Sequence, residues 1–340
     1  MERLNEKRRT QLPYLYKELL TPVFSADGRW ASILAEYSRV AADVVSLDSE
    51  LPLKSRDTIE TASGNIPKMG MKLYLTEKQM KDIDSMIAQG MPLSRIVDAI
   101  FADTPRVVEG VWERIEDLFL SELSSGVGLS ARNNGTGIRI NMNFYKENQF
   151  LVSSLWNAPT ATPLDDIQKV VDKSIDDQNI ITDVYADETA LNLLYRNGQV
   201  RGQFAFNQGI ATDGSSIIPI LDFDKLAQIF LTKWNIRLHR VARKIKTEIN
   251  GVKQNHSPWK KGNLTFVCDD TLGSLVWTNT AESTRPQAGV AYQTVDEYLL
   301  VSKYGKTDPL REFTSSQAMV VPILNNVDRI YTLDSQTIQE

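Results

Sequence analysis

Apolar residues recur along this chain with two periods, one of three to four residues and one of two, and Gly, Pro, Asn and Asp punctuate the stretches between. Thr76 with Gln79 spells a capping box; Met80, Ile83 and Ile87 form one face behind it, and Gly90 ends the run. Thr104 then Pro105 reads as an N-cap followed by proline at the first helical position. The helix so opened carries Val108, Val111, Ile115 and Leu118 on one stripe, with Trp112 and Phe119 beside it, and runs to Ser124. At ~1.5 Å per residue it spans roughly 30 Å, enough for a strut. Thr162-Pro163 opens another amphipathic helix, with Leu164, Ile167, Val171 and Ile175 on its inner face. Asp187 reads as the N-cap of a short helix that Gly198 ends, and residues 222–233 form a further helix.

The period of two is clearest after the turn at 133–137. Ile138, Ile140, Met142 and Phe144 point one way, Arg139, Asn141 and Asn143 the other, so one face is buried and one is wet. Strands are also expected at 179–185, 236–241, 264–268, 298–303, 318–324 and 329–333. Helices and strands mixed in this order predict an α+β fold. No internal repeat and no low-complexity segment interrupts it.

Two segments fit no compact domain. Residues 1–30, a basic start with Pro13, Pro22 and Gly28, read as an arm that is ordered only by lying on something else. Val44, Val45 and Leu47 suggest one extended limb. In 68–75, Met69, Met71 and Leu73 alternate with Lys68, Gly70 and Lys72 as a returning limb. The polar stretch between, residues 48–67, is too long for a loop inside a domain. It predicts a hairpin that projects from the body and is buried by a neighbour.

Composition sets limits. The 340 residues, 42% apolar and 24% charged, can build a sizeable core. A net charge of −5 argues against a surface that binds nucleic acid all round. Cys268 is alone, so no internal disulfide is expected. The polar N-terminus has no signal-peptide pattern, and no apolar run is long enough to span a membrane, so a cytoplasmic soluble protein is expected.

Candidate chemistry is sparse. Gly126-Val127-Gly128-Leu129-Ser130-Ala131 matches a dinucleotide fingerprint, but a helix precedes it and a turn and strand follow, the reverse of what pyrophosphate binding needs. His239 and His256 have no helically spaced partner for a metal. The pairs Asp165-Asp166, Asp176-Asp177 and Asp269-Asp270 place adjacent carboxylates that diverge in a helix, and the first sits in a helix's first turn, where the macrodipole accounts for it. No cofactor, metal or catalytic constellation is expected. Arg237, Arg240, Arg243, Lys244 and Lys246 form a basic stripe that reads either as contact with nucleic acid or an acidic neighbour, or as a solvated hairpin.

The stretch Asp308-Pro309-Leu310-Arg311-Glu312-Phe313-Thr314-Ser315-Ser316-Gln317, then an apolar strand and a turn, resembles the C-terminal signature of lambda-type major capsid proteins, the phage major capsid protein E family. Asp308, Pro309, Arg311, Glu312, Phe313, Thr314 and Gln317 match it at fixed spacing. Asn179-Ile180-Ile181 before an Asp-started helix also resembles that family's axial domain. The resemblance implies a Hong Kong 97 type capsid fold. The chain would divide into an N-terminal arm (1–37), an extended loop (38–75), a peripheral domain with the spine helix (76–150), an axial domain (151–290) and a return to the peripheral domain (291–340). It further implies a subunit that assembles into pentamers and hexamers around double-stranded DNA, with a portal, a decoration protein in many relatives, and a separate scaffolding protein, since no long charged N-terminal region is present. Phe313 would anchor the chain as it re-enters the peripheral domain. Some relatives of this fold crosslink a loop lysine to an asparagine of the next subunit; Lys54 and Lys68 are the lysines near the expected tip, and lambda-type capsids, held without covalent links, imply that neither reacts. An encapsulin-like cargo compartment and a soluble enzyme remain as rivals.

Overall fold

A computed structural model of the chain describes residues 13–35, 59–90, 103–133, 136–207, 209, 221–249 and 251–339. It opens with helix α1 (Leu15–Leu19), strands β1 (Leu20–Phe24), β2 (Arg29–Ala35), β3 (Ile59–Asn65) and β4 (Lys68–Thr76), and helices α2 (Glu77–Ala88) and α3 (Asp103–Ser125). Strands β5 (Val127–Asn133), β6 (Thr136–Asn141) and β7 (Gln149–Val152) precede α4 (Pro163–Asp176). Next come β8 (Asp183–Asp187), α5 (Glu188–Arg196), α6 (Gly198–Asn207), α7 (Phe223–Trp234), β9 (Arg237–Val241), β10 (Ile245–Ile249), β11 (Val252–His256), β12 (Asn263–Val267) and β13 (Gly273–Thr278). The last are α8 (Ala281–Thr284), β14 (Ala291–Val295), β15 (Leu299–Thr307), β16 (Leu310–Leu324) and β17 (Ile330–Ile338). The fold is α+β, and no described helix is long and apolar enough to cross a membrane.

Side-chain caps fix most helix starts. Thr76 N donates to Gln79 Oε1 at 2.9 Å, and Thr76 Oγ1 accepts from Gln79 N at 3.4 Å, completing the capping box. Gly90 ends that stretch at φ +69°, a left-handed conformation that glycine adopts without steric cost. Asp187 and Asp222 accept from Ala190 N and Lys225 N, each at 3.0 Å. Three expectations shift. Helix α3 starts at Asp103, so Pro105 is its third residue, where an N–H would have no helical acceptor in any case. Strand β8 begins at Asp183, four residues later than the apolar pattern suggests. Gly198 opens α6 and does not end α5, because Asn197 Oδ1 accepts from Gln199 N at 2.9 Å and caps the second helix.

The chain forms two units. The first, residues 1–31, 63–119 and 273–323, holds a sheet ordered β1-β13-β16-β15-β14, with β4 also pairing β16. Val107, Val108, Val111, Trp112, Ile115, Leu118 and Phe119 of α3 are all buried, as the helical stripe requires. Met71 of β4 packs against Gly110, where an added Cβ would stand 2.1 Å from its sulfur. Residues 15–24, expected as part of an arm, are helix and strand instead, with Tyr16, Leu19 and Leu20 buried. The paired limbs here are β2 and β3, while β4, expected as the returning limb, lies in the sheet. Val44, Val45, Leu47 and Lys54 lie outside the described residues.

The second unit, residues 32–62, 120–272 and 324–340, holds a sheet ordered β7-β17-β12-β8-β9. Its core joins Leu164 and Ile167 of α4, Leu191 and Leu194 of α5, Ile229 and Phe230 of α7, and Phe266 and Tyr331 of the sheet. Ile175, expected on the inner face of α4, is 62% exposed; Val170 and Ser174 fill the stripe in its place. Ile140, Met142 and Phe144 are buried and Arg139, Asn141 and Asn143 exposed, as alternation demands, although the strand itself stops at Asn141. The side chain of Ile138 and both tip residues, Asn134 and Gly135, are outside the described set.

Candidate assembly surface

The seven signature residues fall on one turn and one strand. Asp308 and Pro309 join β15 to β16, whose register runs from Leu299↔Ala318 to Thr307↔Leu310. On its other side β16 pairs β4, from Arg311↔Thr76 to Met319↔Lys68. The stretch from Arg311 to Gln317 is therefore an internal strand whose backbone groups bond on both edges. Tyr304, Phe313 and Tyr74 are partners across the three strands. The rings of Phe313 and Tyr304 stack at 5.3 Å, and that of Tyr74 is tilted 5.8 Å away. Lys72 Nζ lies 5.0 Å from the Phe313 ring centre, and the Arg311 guanidinium lies 4.5 Å from that of Tyr74. Glu312 pairs with Lys303. Thr314 and Gln317 are buried, and Gln317 Nε2 donates to Glu282. Ser316 Oγ donates to the Val107 carbonyl of α3 at 2.7 Å. Phe313 is half-buried, so it anchors a surface row and not the core.

The segment before β1 is fastened to α3, which the sequence did not reveal. The carboxylate of Glu116, itself buried, accepts Leu15 N and Tyr16 N, each at 3.1 Å. These are orphan donors of α1, satisfied by a residue about a hundred positions away. Tyr14 Oη donates to Glu113 at 3.0 Å, and Tyr16 Oη meets Tyr298 Oη at 3.2 Å. Lys17 Nζ sits 3.6 Å from the centre of the Trp112 ring and 2.7 Å from Asp296. Burial drives the Tyr16 hydroxyl far above its ordinary range, so it stays a neutral hydrogen-bonding group.

The basic stripe divides between two ladders. Arg237 and Arg240 lie on β9, at the edge of the second unit's sheet; Lys246 lies on β10, which pairs only β11 among the described strands, with Arg243 and Lys244 between. Arg237 donates to Asp183 at 2.7 Å and to Asp270 at 3.1 Å, and Arg240 is 3.9 Å from Glu188. Lys244 and Lys246 are exposed. His239 is bound by Asp183, Nε2 to Oδ1 at 2.6 Å, and stacks on Tyr185. Asp166 is buried and accepts from Ser153 Oγ at 2.9 Å and Trp156 Nε1 at 3.1 Å, a structural role beyond its place in the first turn of α4. Asp177 accepts from Tyr331 Oη at 3.0 Å.

The glycine fingerprint is a helix exit. Gly126 turns at φ +71° directly into β5. Burial raises the Cys268 thiol to about 12, which leaves it protonated and unreactive at neutral pH. Among the described residues no group of three or more His, Cys, Asp or Glu side chains is placed to hold a metal.

No protein-family model and no curated protein sequence matches the chain. Solved structures do. A prophage protein of E. coli CFT073, named as a capsid protein, superposes with a TM-score of 0.58 at 11% identity, over 99% of this chain and 98% of that one. The mature capsid of bacteriophage PhiM1 gives 0.54 at 7% identity, over 95% and 87%. The capsid of cyanophage A-1(L) gives 0.52 at 10% identity, over 97% and 95%. The chain has the Hong Kong 97 type fold of phage capsid proteins.

Proposed function

We propose that this chain is the major capsid protein of a tailed bacteriophage or prophage, a shell subunit and not an enzyme. The observation that supports this is the fold likeness to phage capsid chains along nearly the whole length of both partners. Among the described residues, Asp187 caps a helix, Arg237 pairs with Asp183 and Asp166 holds Trp156, all structural roles that suit a shell subunit. The subunit assembles with itself into pentamers and hexamers around double-stranded DNA, in the host cytoplasm, with a portal, a separate scaffolding protein and, as in lambda-type shells, room for a decoration protein. On this reading the first unit is the peripheral domain, α3 is the spine helix and the second unit is the axial domain. The arm and the loop beyond β2 and β3 bury their surface on neighbouring copies. The signature from Asp308 to Gln317 is a structural strand of the peripheral sheet, and Lys244 and Lys246 are left to meet acidic partners or DNA.

Electron microscopy of the chain expressed with its scaffolding protein tests the reading. Closed icosahedral shells are expected. A monodisperse monomer under all assembly conditions overturns it, and shells that enclose other proteins instead of DNA in the parent particle assign the fold to a cargo compartment.

A further inference from the structure

Among the described residues, Glu122 alone carries a carboxyl group that is wholly enclosed with neither oxygen hydrogen-bonded. It sits in the last turn of α3 between Leu120 and Leu123, which are both fully buried. Gly128 of β5 makes the room. A Cβ there would stand 2.4 Å from Glu122 Oε1, 2.7 Å from its Cγ and 3.0 Å from its Cδ, so any other residue would collide with the acid. The surrounding joint is closely bonded. Gly126 N donates to the Glu122 carbonyl at 2.7 Å, Met142 N to the Gly126 carbonyl at 2.8 Å, and Ser121 Oγ to the Val127 carbonyl at 2.9 Å. The carboxyl group is therefore trapped where the β5–β6 hairpin folds back on the helix.

Among the described residues no charge is placed to offset it. Asp117, on the same helix, is paired with Arg114, and Lys260, in the loop that holds the helix end, is paired with Asp334. Arg139 of β6, and Lys146 and Glu147 beyond it, are exposed. Burial is the sole cause acting on Glu122, and it lifts the carboxyl well above the ordinary carboxylate range. An ionised, unpartnered carboxylate in such a site is far costlier than the neutral acid, and water is the readiest relief.

We propose that Glu122 is a proton-operated latch: the neutral acid lets the β5–β6 hairpin close on the last turn of α3, and loss of the proton opens that joint to water. The linkage has a definite sign. A group whose folded pKa is raised contributes stability that is complete below its unfolded value of about 4.3 and is lost as pH rises toward the folded value. The joint is closed in acid and loosens toward neutral and alkaline pH. This inference stands whether or not the chain builds a shell.

Amide hydrogen exchange on the full-length chain tests it, with wild type and Glu122→Gln compared at the same pH so that intrinsic exchange rates cancel. At about pH 4 the amides of Gly126 and Met142 should exchange nearly alike in the two proteins, and at about pH 8 they should exchange at least ~10-fold faster in wild type. Should the glutamine variant fail to fold, Glu122→Met, of similar length and without charge, carries the same comparison. Equal protection at both pH values overturns the proposal. So does a difference spread evenly over the whole chain, since the latch is local.

Discussion

The ring of Phe313 lies 5.3 Å from that of Tyr304 at an interplanar angle of 22°, and the two residues are direct partners across β15 and β16. Cross-strand aromatic pairs of this kind add about 0.5–1.5 kcal/mol beyond the area they bury. Because Phe313 is half-buried, Phe313→Ala should cost roughly 1–3 kcal/mol, less than the ~3–5 kcal/mol of a core phenylalanine. Thermal unfolding of Phe313→Ala, Tyr304→Ala and the double variant gives the coupling directly. Strictly additive losses would show that the stack contributes nothing of its own.

Glu116 should matter more than its place on a helix suggests. Its carboxylate satisfies Leu15 N and Tyr16 N from within a buried site. Hydrogen bonds to a charged group contribute about 1.5–3 kcal/mol, and Glu116→Ala leaves both donors unpaired. We expect a loss of ~2–4 kcal/mol and faster protease cleavage around residues 13–20. A variant as protease-resistant as wild type there would mean that the arm is held by Tyr16 and Lys17 alone.

Asp183 sets an acid limit on the second unit's sheet edge. Burial pushes its carboxyl up, but hydrogen bonds from Arg237, His239 and Thr182 together outweigh this and hold it below the ordinary range. A depressed carboxyl contributes stability that is present above about pH 3.9 and lost as pH falls through its folded value. Arg237→Gln removes the strongest of those bonds, so the folded value rises and acid unfolding should begin at higher pH. The acid-unfolding midpoint of the two proteins checks this, and identical midpoints would refute it.

How much of this was legible in the sequence follows from how far each cause acts along the chain. Caps act over three residues, and Thr76, Asp187 and Asp222 were readable as caps or helix starts from their neighbours alone. Alternation was equally readable at Ile140, Met142 and Phe144. The signature from Asp308 to Gln317 pointed to the fold through a resemblance, yet not to what it touches, since β4 reaches β16 across more than two hundred residues. Glu116 and Glu122 are both acids on one largely buried helix. Only the structure separates the one that binds backbone N–H groups from the one left without a partner. Gly198 misled because a glycine after a helix resembles a stop, while the deciding bond comes from the side chain of Asn197. Ile175 misled because the buried face of α4 runs through Ile167, Val170 and Ser174, so in the last turn a small polar residue takes the inner place and the apolar one faces outward.

The last prediction concerns covalent chemistry between subunits and rests on the shell reading. Crosslinking a loop lysine to an asparagine needs an unprotonated amine, a carboxylate to take its proton and a pocket that excludes water. Lys68 stands in no such water-free pocket among the described residues. It is exposed at the first residue of β4, and its backbone is already paired opposite Met319. Lys54 lies outside the described residues, and Ser55 and Arg56 follow it in a polar run, where a lysine is ordinarily a solvated charge. Mature particles boiled in denaturant and reductant should therefore run as a single band near the chain mass of 38.3 kDa. A ladder of multimers that survives that treatment would overturn the prediction. Peptide mass spectrometry of its rungs would then show whether Lys54 or Lys68 forms the bond.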